Sequence, residues 1–139
     1  MNLLSKAVGT TAISLALATL AVPALAATGP TFSTAKPSSG MGINSFQPDV
    51  RIFNRAEIAD LLNAKKVSIV RLDTAWNSSD DSSKAFDAVN ESDQAIHQLR
   101  EAIDANPAAA RLLARNHVNV NTVVDIVDTG GGTVQLYVS

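Results

Sequence analysis

Asp128-Thr129-Gly130, preceded by Ile126-Val127, has the residue types of an aspartic-protease loop. That chemistry brings two such aspartates together, one protonated and one ionised. The chain carries a single copy, so a dimer would have to supply the second, and only nine residues follow Gly130. A hairpin turn draws on Asp, Thr and Gly for its own backbone reasons, and a turn is what this run predicts. The same Gly130-Gly131-Gly132 could cradle a phosphate, but phosphate loops open into a helix whose amides face the anion. Here a β-branched run follows, and no Lys-Ser/Thr pair is present.

A metal site would draw on His97 and His117 with Asp73, Asp80, Asp81, Asp125 and Asp128. The two histidines fall on different predicted elements. His97 and Glu101 have the i,i+4 spacing of two ligands on one helix face, which a surface pair explains equally well. Asp80-Asp81 lacks the alternating acids and glycine of a calcium loop and suits the first turn of a helix. Nucleophilic serine chemistry has no G-x-S-x-G elbow to use. No catalytic residue, metal ligand or cofactor site is therefore expected.

Trp76 is the residue with the clearest binding potential. It stands in the polar run Asp73 to Ser83, beside Asn77, and tryptophan is enriched at binding hot spots. Tyr137, expected on the outward face of the last strand, would extend that surface. Trp76, Asn77 and Tyr137 form the candidate binding set.

The elements that must position these residues are legible from pattern. Asn54-Arg55-Ala56-Glu57 has the form of a capping box, and Ile58, Leu61 and Leu62 share one face of a short helix over 55–64. Lys66 to Leu72 is β-branched with apolar residues on both faces, which predicts an interior strand. Phe86, Val89, Ile96, Leu99 and Ile103 recur at helical spacing and predict one helix over 83–105. Asn106-Pro107 restarts the chain as cap and first helical residue, and Asn116 is the expected left-handed stop. Val123 to Asp128 and Thr133 to Val138 form a hairpin about the glycines. Val124 and Ile126 are expected to share a face with Val134, Leu136 and Val138, leaving Asp125, Gln135 and Tyr137 on the other. The last strand is an expected open edge.

The N-terminus reads as an export signal. Lys6 is followed by an almost wholly small or apolar run from Ala7 to Val22, and Ala24-Leu25-Ala26 is a cleavage pattern. Residues 1–26 are expected to be a cleaved signal peptide, leaving no membrane span. Residues 27–48, with Pro30, Pro37, Gly40 and Gly42, read as a flexible arm, and 49–139 as one domain. The chain has 139 residues, with 11 Lys+Arg against 13 Asp+Glu and no cysteine. That excludes thiolate chemistry and disulfide frameworks and argues against a basic nucleic-acid-binding face. Export without cysteine fits a bacterial periplasm or exterior.

The stretch from Ala95-Ile96 and Leu99 through Ala102-Ile103-Asp104-Ala105-Asn106-Pro107-Ala108 and Leu112 to Val123-Val124-Asp125-Ile126-Val127-Asp128 resembles the C-terminal part of small exported proteins of alphaproteobacteria. The resemblance implies bacterial export and carries no catalytic residue.

The expected fold is α+β, a small antiparallel sheet of about three strands, including the C-terminal hairpin, packed on two or three helices. The expected function is that of an exported, periplasmic or secreted, non-enzymatic interaction protein. Its partner would be an envelope or extracellular protein, or a second copy of itself. A small-ligand or polysaccharide-binding module using the Trp76 loop and a homo-oligomeric structural envelope protein are the alternatives.

Overall fold

The computed structural model describes residues 29–139, so the expected signal peptide lies outside the described residues. The order is β1 (Thr31–Thr34), α1 (Ile43–Val50), α2 (Ala56–Asn63), β2 (Lys66–Arg71), α3 (Ser79–Glu91), α4 (Asp93–Asp104), α5 (Pro107–Arg115), a 3-10 turn (Val120–Thr122), β3 (Val123–Gly130) and β4 (Thr133–Val138). The fold is α+β, as expected. Among the described residues four strands lie in the order β1-β2-β4-β3, and the sheet is mixed. β1 and β4 both run parallel to β2, and only β3–β4 is antiparallel. The last strand is thus interior, and the open-edge expectation moves from β4 to the two outer strands.

The segment expected to be a flexible arm is a strand and a helix. Phe32 pairs in register with Val67, and Phe46 in α1 is completely buried. Its glycines and prolines suggested a tether. They instead punctuate short elements whose few large side chains are all anchors. The packed domain therefore takes in β1 and α1 and does not begin at Asp49.

Helices cover both faces of the sheet, so β2 needs apolar residues on each side. Val67 shares a core with Val134, Leu136, Leu61, Leu99, Ile103 and Leu113 on one face. Val70 and Leu72 share a second core with Tyr137, Phe46, Val50, Ala85 and Ala88 on the other. A register shift between Val123 and Asp125 inserts a residue into β3. Val123 and Ile126 consequently share the first face, while Val124 joins the second, which corrects the alternation expected for β3.

The helices follow local chemistry. Ala56 N–H donates to Asn54 Oδ1 at 2.9 Å, and Glu57 Oε2 reaches back to Asn54 N–H at 2.8 Å. Asn106 Oδ1 accepts from Ala108 and Ala109 at 3.1 Å each, with Pro107 opening α5. The single helix expected over 83–105 is two. Ser78 caps α3 four residues earlier than the apolar stripe suggested, and buried Ser92 turns its hydroxyl onto the Ala88 carbonyl where α3 passes to α4. The left-handed residue after α5 is His117, at φ 60°, and not Asn116, whose φ is −102°.

Candidate functional site

The three residues expected to bind meet different fates. Tyr137 lies on the face covered by α1 and α3 and is completely buried, so it cannot extend an exposed surface. Trp76 is partly buried against the same core, 6.4 Å from the Tyr137 ring and 5.1 Å from Phe46. Its indole N–H donates to the Met41 carbonyl at 2.8 Å. Asn77 is exposed, and its side-chain oxygen accepts from the Ser38 hydroxyl.

Together these groups fasten residues 38–41 across the end of the sheet. Ser38 N–H donates to Thr74 O at 2.7 Å and Gly40 N–H to Ala75 O at 3.1 Å. Met41 N–H donates to Tyr137 Oη at 2.7 Å, that hydroxyl donates to Gln135 Oε1 at 2.6 Å, and Gln135 Nε2 donates to Ser39 O at 2.9 Å. Burial pushes the Tyr137 hydroxyl up to about 12, so it remains a donor at physiological pH. Gly40 is required by the close approach: a Cβ there would lie 3.0 Å from both Ala75 Cβ and Ala75 O. Gly40→Ala is expected to cost about 1–3 kcal/mol, read as a lower urea midpoint, because backbone must shift to make room. An unchanged midpoint would show that Ala75 yields to the added methyl without cost.

The polar groups most unlike their surroundings lie at β3. Asp125 is 2 % exposed, its Oδ1 accepts from Ile126 N–H at 2.9 Å, and its Oδ2 has no hydrogen-bond partner. Burial pushes its carboxyl up to about 9, and the neighbouring Asp49 and Glu57 carboxylates add to the shift. Burial also raises the Glu57 carboxyl. Asp125 therefore stays protonated at neutral pH. Among the described residues no group of three His, Cys, Asp or Glu side chains could hold a metal ion. His97 and Glu101 meet as the exposed i,i+4 pair expected, at 3.2 Å.

Asp125 is better understood from what surrounds the strand it sits on. An outer strand offers unpaired backbone groups to any passing chain, and folds usually blunt that edge. β3 is blunted several times over. It carries two register shifts, at Val123/Asp125 and Asp128/Gly130. Ile126 N–H is taken by Asp125, Val123 O accepts from Arg100 Nε at 2.8 Å, and α1, α2 and α4 all pack against the strand. α4 contributes Ile96 to one core and Leu99 and Ile103 to the other, so it crosses between the faces beside β3.

β1 has none of these devices. It is regular, uncharged and free of proline, reading Thr-Phe-Ser-Thr. Thr31 N–H donates to Lys65 O at 3.0 Å and Ala35 N–H to Ile69 O at 2.8 Å. Backbone groups alternate along a strand, so the N–H and C=O of Phe32 and Thr34 point away from β2. Among the described residues nothing pairs with them. The sequence hid this site, because a four-residue strand between two turns has no period long enough to read.

Beside the start of β1 lies a groove of about 300 Å³ lined by Gly29, Pro30, Leu62, Arg111, Leu112 and Arg115. A larger one, about 620 Å³, is lined by Phe53, Arg55, Ile58, Gln98, Glu101 and Ala102. No helix of the described residues is long and apolar enough to cross a membrane. No family model matches the chain, and no curated protein or solved structure does either.

Proposed function

We propose that this chain is an exported interaction protein that accepts an extended segment of an envelope or extracellular partner as a fifth strand beside β1. The observation that carries the reading is the contrast between the edges: β3 is sealed by bulges, side chains and helices, whereas β1 presents the backbone groups of Phe32 and Thr34. Added strands gain affinity from main-chain hydrogen bonds, which need no specialised side chains. The export half of the reading rests on Lys6, the apolar run to Val22 and Ala24-Leu25-Ala26. The small-ligand alternative loses support with the burial of Tyr137 and the engagement of Trp76 by Met41.

Thr34→Pro tests this directly. Proline is tolerated on an edge strand where its missing N–H faces outward, so the fold is kept and the edge is blocked. The full chain, expressed in its own cells with a photocrosslinking residue at Ser33, is expected to form one defined adduct. Thr34→Pro should abolish that adduct while leaving the unfolding free energy from urea titration within about 1 kcal/mol of wild type. A crosslinker beside the larger groove, at Phe53, should not give the adduct. An adduct that survives Thr34→Pro, or arises only from Phe53, would move the binding surface elsewhere.

A further inference from the structure

The basic residues divide into two groups. Arg51 pairs with Glu91, Arg71 with Asp73 and Lys84 with Asp80, and Arg100 is turned onto Val123 O. Arg111 and Arg115 form no ion pair among the described residues, and neither do Lys36, Arg55, Lys65 and Lys66. Arg55 lines the larger groove, and the other five lie at the ends of β1. Arg111 and Arg115 line the groove with Gly29 and Pro30, which run directly into Thr31. Lys66 stands in register with Thr31, and Lys36 follows the strand at its other end. With Lys6 removed by cleavage the chain would hold ten cations against thirteen acids, so this is a local basic zone on an acidic protein.

Resting on the strand-acceptor reading, we infer that the segment taken by β1 is acidic, with carboxylates that enter the Arg111–Arg115 groove. Both arginines are exposed and lie one turn apart on α5. Side chains at i and i+4 of a helix stand about 5–6 Å apart, and alternate residues of a strand about 6.5–7 Å. Two acidic residues separated by one residue match that spacing, and each guanidinium can hold a carboxylate through paired N–H donors. Leu62 and Leu112 form the apolar floor that partly desolvates the pairs.

The probes are two sets of synthetic extended peptides rich in Val and Thr, one with Glu-x-Glu at either end and one with Gln-x-Gln. Binding to the full chain is read by fluorescence anisotropy. For one of the two Glu placements, the Glu peptide should bind about tenfold tighter than its Gln counterpart at low salt, and the gap should close as salt rises. Arg111→Gln/Arg115→Gln should bind Glu and Gln peptides alike, at the wild-type Gln affinity. Thr34→Pro should bind neither. Equal binding of Glu and Gln peptides to the wild type would overturn the acidic preference and leave strand acceptance standing. No binding of any peptide, or binding indifferent to Thr34→Pro, would overturn strand acceptance itself. Two further outcomes would also overturn the inference: a wild-type dimer in light scattering that Thr34→Pro dissolves, or retention on phosphatidylglycerol vesicles through the same arginines.

Discussion

Phe46→Ala is expected to remove about 3–5 kcal/mol of stability, the range for truncating a buried aromatic side chain. Phe46 is completely buried, and its ring centroid lies 5.1 Å from both the Trp76 and the Tyr137 rings. Truncation leaves a cavity at the one point where α1, the 73–77 loop and β4 converge. It also frees the two rings whose polar atoms hold Met41, since Tyr137 Oη accepts its N–H and Trp76 Nε1 donates to its carbonyl. A domain of this size has a total stability of about 5–15 kcal/mol, so the loss is a large fraction of the whole. Urea denaturation followed by circular dichroism measures it. Trp76 is the single tryptophan, so its emission should shift to the red in the folded variant. The comparison is Phe86→Ala, where the side chain is 42 % exposed and the change should stay within about 0.5 kcal/mol. A loss at Phe46 as small as about 0.5 kcal/mol would mean that residues 31–50 contribute no packing and are the loose arm their composition suggests.

That pair of phenylalanines marks where pattern reading succeeds and where it stops. The 66–72 strand, the hairpin and the capped helices announce themselves because each carries its signal within a few residues: a β-branched run, a glycine turn, an Asn followed by Pro. Phe86 and Phe46 reverse the reading. Phe86 sits at helical spacing from Ile96 and Leu99, yet α3 and α4 separate at Ser92 and the two stripes do not continue one another. Phe46 sits among Gly, Pro and Ser, and its partners lie thirty and ninety-one residues away in sequence. Sequence spacing holds no information on such a contact. The same limit applies to the candidate site. Trp76 stands out by type, but whether its indole faces solvent is decided by Met41, and the open edge is defined by what fails to pair with β1. Asp125 shows the opposite error. Alternation assigns it correctly to a position unlike that of Ile126, but only the bulge and the crossing of α4 make that position buried.

Asp125→Asn is expected to flatten the pH dependence of stability. The folded chain holds the Asp125 proton up to about pH 9, whereas an unfolded aspartate releases it near about pH 4. Between those values the native state binds more protons than the unfolded chain. Its stability is therefore complete on the acid side and falls as pH rises, by at most about 1.4 kcal/mol per pH unit for one group. The raised Glu57 carboxyl pulls in the same direction. Asparagine keeps the oxygen that accepts from Ile126 N–H and carries no proton to lose, so the variant should gain on the wild type steadily from pH 5 to pH 9. Urea midpoints of the two proteins at pH 5, 7 and 9 measure this, and parallel profiles would show that Asp125 is ionised, solvated or both.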